Sequence, residues 1–229
     1  MTRYEPLNPQ EHGRLCLRSQ SAADPHFVQI VSSEFVVAAA SSPILFTKDP
    51  ETGSFYAAAM FGFKPNERAL KTAEERGGFD PLSLQREGFF ITGERIVIDR
   101  DNPRFSETEG DPLFDESQQP SVRLRQVQRA LGQLHTGLET TNVFVRALLQ
   151  LKLIEPIDIS LTFDDGERLT LQSLYTVSLD SLQALDDEAA LPLYRAGHLQ
   201  LAYTMAASLQ QIRILARLRN RRISSPDDS

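Results

Sequence analysis

Towards the end of the chain, apolar positions recur at helical spacing. At about 100° per residue, Leu201, Ala202, Met205, Leu209, Ile212, Leu215 and Ala216 fall on one broad face. Tyr203, Ala207, Ile214 and Leu218 form a second apolar strip opposite. Polar positions are squeezed into two seams, Gln210, Arg213 and Arg217 on one side and Thr204 and Gln211 on the other. The pattern predicts one last helix buried on two sides. Two shorter helices precede it. Ser178 is placed to cap a run of Leu179, Leu182 and Leu185, and Asp186 a run through Ala190 and Tyr194, because short polar side chains accept from the free amides of a first turn. Gly197 suits the left-handed position that ends such a helix and passes the chain to His198.

Upstream the period changes to two. Arg14–Arg18 and His26–Val31 alternate apolar with polar residues, as half-buried strands do. Ser32 and Ser33 precede Glu34, Phe35, Val36, Val37 and a run of alanines, which predicts a capped short helix. Ile44–Lys48 and Phe55–Phe63 flank the turn sequence Asp49-Pro50-Glu51-Thr52-Gly53, a hairpin pattern. Residues 64–87 are polar and aperiodic and are expected to be a surface excursion. Phe89–Thr92 and Arg95–Asp99 surround Gly93-Glu94, a tight-turn pair, and the acidic, proline-broken stretch 99–116 is expected to be loop. From 121 to 152 the chain is helical, with Leu124, Val127, Leu131, Leu134 and Leu138 as its stripe. Gly132 and Gly137 each weaken it by about 1 kcal/mol relative to Ala, and one bent helix is favoured over a break near His135. Then Ile157, Ile159, Leu161 and Phe163 alternate, and Leu169 and Leu171 return. Both sets share a face only if Leu161 opposes Leu169 and Ile159 opposes Leu171, which requires a three-residue loop Asp164-Asp165-Gly166 with Gly166 left-handed.

These elements predict an α+β fold: short antiparallel strands and hairpins packed on a long middle helix and C-terminal helices, in a single domain over 1–229 with an extended arm at 1–13 and a disordered tail at 223–229. A hydrophobic content of 41% over 229 residues is enough for a filled core. The net charge of −7 argues against nucleic acid as a partner. Arg217, Arg219, Arg221 and Arg222 run against that balance, and their ordinary use is favourable charge at a helix C-terminus. No apolar stretch approaches the roughly 20 residues of a membrane span, so an integral membrane protein is not expected. A lone Cys16 excludes an internal disulfide and fits a reducing compartment, so a cytoplasmic location is expected.

Candidate chemistry is sparse. The sequence lacks a phosphate-binding Gly-rich loop, a G-x-S-x-G elbow, H-E-x-x-H and paired C-x-x-C. His12, His26 and His198 with Asp24 are the only metal-type set, and surface or capping imidazoles are the commoner use of such residues; no metal and no cofactor are expected. Asp99, Asp101, Glu107, Glu109, Asp111, Asp115 and Glu116 match no calcium-loop spacing and are expected to be solvated. Glu139 and Glu155 would serve acid–base chemistry only if buried. Within an alternating strand, Cys16 is a small buried side chain before it is a nucleophile.

The run LYTVSLDSLQALDDEAALPLYRAGHLQLAYTMAASLQQIRIL, residues 174–214, closely resembles the C-terminal signature of the SapC-like proteins of Gram-negative bacteria. Upstream pieces agree in order: His12 with Leu15–Arg18, SSPILFTKD at 41–49, GFFITGERIVID at 88–99, DPLFDE at 111–116 and LIEPIDISLTFDDGERL at 153–169. One departure is that the segment before Phe89 holds Phe79 as its only aromatic residue, where the family is usually rich in Trp and Tyr. The resemblance implies a protein named from a surface-layer locus, with halogenase-like or cupin-like proteins and uptake receptors as neighbours, and no reaction or catalytic residues to carry over. Two functions follow as expectations. The first is a non-catalytic accessory protein that binds a protein partner through an exposed apolar or charge-complementary patch. The second is an enzyme, or an enzyme's partner subunit, with a pocket drawn from His12, Arg14, Glu34, His198 and Tyr203.

Overall fold

The computed structural model describes residues 4–18, 25–65, 67, 68, 70 and 74–224. Its strands are β1 Tyr4–Pro6, β2 Cys16–Leu17, β3 Phe27–Gln29, β4 Ile44–Lys48, β5 Phe55–Met60, β6 Gly62–Lys64, β7 Glu67–Arg68, β8 Phe89–Thr92, β9 Arg95–Asp99, β10 Phe105–Ser106, β11 Asp111–Pro112, β12 Ile154–Thr162 and β13 Arg168–Val177. Its α-helices are α1 Pro9–His12, α2 Phe35–Ala39, α3 Leu82–Gln85, α4 Val122–Gln150, α5 Leu179–Gln183, α6 Asp187–Arg195, α7 His198–Ser208 and α8 Gln211–Ser224. Small antiparallel sheets with one long helix make this an α+β fold, as the hydrophobic pattern predicts. The contacts cluster into two compact units, residues 1–24 with 80–136 and residues 25–79 with 137–229.

In the first unit, β1, β9 and β8 form one antiparallel sheet, and β2 lies between β10 and β11 in another. The β8–β9 hairpin closes as predicted, Thr92 opposite Arg95, with Gly93 at φ +61. Leu15, Leu17, Phe89, Ile98, Phe105, Leu113 and Phe114 bury together with Leu124, Val127 and Leu131 from the first half of α4. The leading segment is more ordered than an extended arm: Tyr4–Pro6 pairs with β9, and Asn8 caps a one-turn helix by accepting from the Gln10 amide, with Pro9 pre-set for its first position. Residues 1–3 lie outside the description, as do 225–229 of the expected tail, whose first two residues, Ile223 and Ser224, instead end α8. The 99–116 stretch is loop except where β10 and β11 flank β2, a pairing that buries Phe105 and Leu113.

In the second unit five strands run in the order β12-β13-β4-β5-β3. The predicted register holds, Leu161 opposite Leu169 and Ile159 opposite Leu171, and Gly166 takes φ +83 in the loop. The β4–β5 hairpin also forms, its Asp49 carboxylate accepting from the Glu51 and Thr52 amides. The second half of α4 packs on this sheet, and Phe144 meets Phe35 and Phe46 at ring separations of 6.0 and 6.1 Å. The helix before β4 is capped differently from expectation: the buried Glu34 carboxylate, not a serine, accepts from the Val31 amide at 2.9 Å. Nor is 64–87 only a surface excursion. Arg76 and Phe79 are buried, the Arg76 guanidinium donates to the Phe79 carbonyl, and it lies over the Phe61 ring. Gly137, expected only to weaken α4, faces Val31 so closely that a Cβ there would stand 2.7 Å from Val31 Cγ2.

Candidate functional site

The last part of the chain is built as expected at its start. Ser178 accepts from the Ser181 amide, Asp186 accepts from the Ala189 amide at 2.9 Å, and Gly197 takes φ +74 where α6 ends. The predicted single last helix is instead two. Ser208 is the cause: its hydroxyl donates back to the Met205 carbonyl at 2.6 Å and accepts from the Ile44 amide at 2.8 Å. A serine bonding its own helix's carbonyl bends the helix, and here it also satisfies the first amide of β4. Gln211 then opens α8 and donates its side-chain amide to the carbonyls of Ala39 and Ala40 at the end of α2.

The first apolar strip is covered. Ala202, Met205 and Leu215 are fully buried, and Leu201, Leu209, Ile212 and Ala216 are half-buried. The second strip is not, which corrects the expectation of a helix buried on both sides. Tyr203 is 48% exposed and Ile214 44%, Ala207 is exposed, and Leu218 is half-buried. On the neighbouring α2, which packs against α7, Val36 and Val37 are also turned out. Arg213, Arg217 and Arg221 recur every four residues along α8, all exposed beside Ile214. Arg217 and Arg221 border a depression of about 460 Å³ with Asp164, Asn220 and Ser224.

The arginines that looked alike in the sequence divide into two roles. Arg219 is buried, its guanidinium 3.8 Å above the Phe163 ring, and it donates to Glu67 and Glu167 at 2.6 and 2.7 Å. Lys64 also pairs with Glu167, and Lys64 first, then Arg219, holds that carboxyl below the ordinary glutamate range. Arg222 pairs with Glu75. Both tie α8 to its own unit, so among the described residues Arg213, Arg217 and Arg221 are the α8 arginines with no carboxylate within ion-pair distance.

The five residues expected to line a pocket fall in both units, and each has its place within its own unit. In the first unit His12 is buried and engaged at both ring nitrogens, Nε2 at 2.9 Å from Glu5 and Nδ1 at 3.0 Å from the Asn8 backbone, while Arg14 is exposed. In the second, Glu34 holds the Val31 amide, and His198 lies on the buried side of α7 with its ring 5.4 Å from Phe144. Burial lowers the His198 pKa. Tyr203 lies on the opposite, exposed side of the same helix. A cleft of about 840 Å³ does open in this unit, lined by Lys48, Phe55, Glu139, Asn142, Val143 and Arg146 among others, and it contains none of the five.

Glu139, Glu155 and His135 are exposed. In the acidic loop Glu107 pairs with Arg100 and Glu109 with Arg18. Among the described residues no three His, Cys, Asp or Glu side chains gather to hold a metal ion, and Asp24 lies outside them. Among the same residues no helix is long and apolar enough to cross a membrane. A family model described as SapC matches residues 7–215. No curated protein and no solved structure matches the chain.

Proposed function

We propose that this chain, which belongs to the SapC family, is a non-catalytic accessory protein whose terminal helices bind an acidic protein partner. The observation that supports this most is the uncovered second strip of α7 and α8. A sequence that places Tyr203, Ala207, Ile214 and Leu218 at helical spacing prepares a face for burial, yet the fold leaves Tyr203 and Ile214 nearly half exposed. Exposed large apolar side chains that lie together mark interaction sites, and α7 and α8 each turn one outward here. The arginine row beside them sets the partner's chemistry: three guanidiniums favour carboxylates, which each can grip through two parallel N–H donors. An anionic bilayer offers the same sign of charge, and vesicle binding is the outcome that would set it in place of a protein.

In this account the protein works in the cytoplasm of a Gram-negative cell beside surface-layer or uptake-linked proteins, and halogenase-like or cupin-like proteins are the first partners to test. The test is affinity capture of the tagged full chain from cells that naturally make it, alongside Tyr203→Asp and Arg217→Glu/Arg221→Glu variants. The expected result is one acidic protein in stoichiometric amount, lost from both variants and released by salt. Its retention by both variants, or binding of the chain to phosphatidylglycerol vesicles in place of a protein, would overturn the proposal.

A further inference from the structure

We infer that the cleft between the β4–β5 turn and the second half of α4 binds a small organic carboxylate with an apolar body, at a site separate from the interaction face. The inference starts from Lys48, the last residue of β4. Its ammonium sits 4.9 Å from the centre of the Phe55 ring and 5.0 Å from that of Tyr175, and these two rings pack edge to face at 4.8 Å. Aromatic faces attract a cation without neutralising it. Among the described residues no carboxylate stands within ion-pair distance of Lys48, so its position is fixed while its charge stays available. Arg146 is the second cation on the cleft wall. Its Nε donates to the Asn142 carbonyl one turn back at 3.3 Å, which orients a planar group suited to a carboxylate.

The rest of the wall selects the ligand's body. Val143 is 48% exposed and Leu149 43%, both lining the same cleft, so an apolar surface lies open beside two cations. A bare anion would leave that surface wet, and a neutral apolar molecule would leave the cations unpaired. Glu139, the one carboxylate among the described residues of the wall, brings their charge to about +1, which suits a monoanion and disfavours a dianionic phosphate. The volume of about 840 Å³ falls within the several hundred to about 1,000 Å³ of small-molecule sites.

The test uses the full chain and sodium octanoate below its micellar range, followed by calorimetry and ligand-observed NMR. Acetate supplies the charge without the body, 1-octanol the body without the charge, and octyl phosphate the dianion. The expected result is saturable one-to-one binding of octanoate, with acetate, 1-octanol and octyl phosphate each bound about tenfold or more weakly. Lys48→Met and Arg146→Met should each weaken octanoate about tenfold, with the far-UV spectrum unchanged, and Tyr203→Asp should not affect it. Both substituted side chains are exposed, and either variant alone suffices if the other fails to fold. Absence of saturable octanoate binding, equal or tighter binding of 1-octanol or octyl phosphate, or octanoate affinity unchanged in the variants would overturn the inference. None of these outcomes bears on capture by the terminal helices, so the two proposals fail separately.

Discussion

Replacing Gly137 with alanine tests the packing logic of α4, because the same change one and a half turns earlier should have the opposite sign. Helix propensity alone makes Gly→Ala in a helix interior stabilising by about 1 kcal/mol. At Gly132 nothing lies within 4 Å of an added Cβ and the position is exposed, so that gain should appear in full. At Gly137 the added Cβ would stand 2.7 Å from Val31 Cγ2, 2.8 Å from Val31 Cβ and 3.1 Å from Val31 Cγ1, well inside the roughly 3.5–4.0 Å of carbon–carbon contact.

Val31 has little room to retreat. It is fully buried, and its amide donates to Glu34 at 2.9 Å. The next amide, of Ser32, donates to Thr141 Oγ1 at 2.8 Å, and that hydroxyl donates to the Gly137 carbonyl at 2.6 Å. The segment that must move is thus fastened to the very turn that would push it. Overpacking of this kind costs about 1–3 kcal/mol, and two contacts below 3 Å place Gly137→Ala near the upper end. Subtracting the propensity gain leaves a loss of about 2 kcal/mol. In a chain of this size each kcal/mol moves the melting point by about 2–4 °C, so Gly137→Ala should melt about 4–8 °C lower and Gly132→Ala about 2–4 °C higher. Thermal and urea unfolding followed at 222 nm measure both. A Gly137→Ala protein as stable as the parent, or more so, would refute the assignment of a steric role to this glycine.

Three further outcomes follow from the second unit. Ser208→Ala leaves the buried Ile44 amide without its acceptor and should destabilise by about 1–3 kcal/mol in urea unfolding; an unchanged midpoint would mean that the hydroxyl does not support the α7–α8 bend. Arg219→Met keeps apolar cover on Phe163 but strands Glu67 and Glu167, whose side chains are 38% and 30% exposed and rehydrate in part, so the urea midpoint should fall, by less than for a fully buried pair. Because the Glu167 pKa is depressed, its contribution is present above the ordinary glutamate range and is lost as pH falls through the folded value. Lys64→Met should therefore flatten the acid limb of stability, and Arg219→Met should do so to a smaller extent, measured by urea midpoints between pH 6 and pH 3. His198 has the opposite charge logic: burial lowers its pKa, so the unfolded chain takes up a proton first. Stability is full above the ordinary histidine pKa of about 6.5 and declines as pH drops towards the folded value. His198→Phe should make that decline shallower, and a decline of unchanged slope would place the titration elsewhere.

The features that could be read from the sequence are those whose cause is local. Caps at Ser178 and Asp186, the left-handed Gly197 and the two hairpin turns depend on residues within four positions of each other, and the β12–β13 register follows from alternation plus one loop length. The features that could not be read depend on partners far along the chain. Ser208 meets Ile44 across 164 positions and Arg219 meets Glu67 across 152, and nothing in either neighbourhood announces the bond. Gly137 carries a usable hint, since a glycine inside a strong helical stripe weakens it, and close packing of another segment is one reason to keep it. For the candidate face, periodicity identified both apolar strips of the terminal helices, but only the fold shows that one of them is left without cover. Of the residues expected to line a pocket, three have structural uses that no local pattern announces: His12 is held by Glu5 and the Asn8 backbone, Glu34 holds the Val31 amide, and His198 packs on Phe144.

Site-directed photocrosslinking in cells distinguishes a partner held on the α7–α8 face from one held elsewhere. A benzophenone side chain would replace Tyr203 or Ile214 on the candidate face, and Ile91 serves as the control, being 46% exposed in the other unit. Positions 203 and 214 should each crosslink to the same acidic protein, position 91 should not, and Arg217→Glu/Arg221→Glu should abolish the product. Equal crosslinking from position 91, or adducts at 203 and 214 that survive the loss of both arginines, would contradict binding at that face.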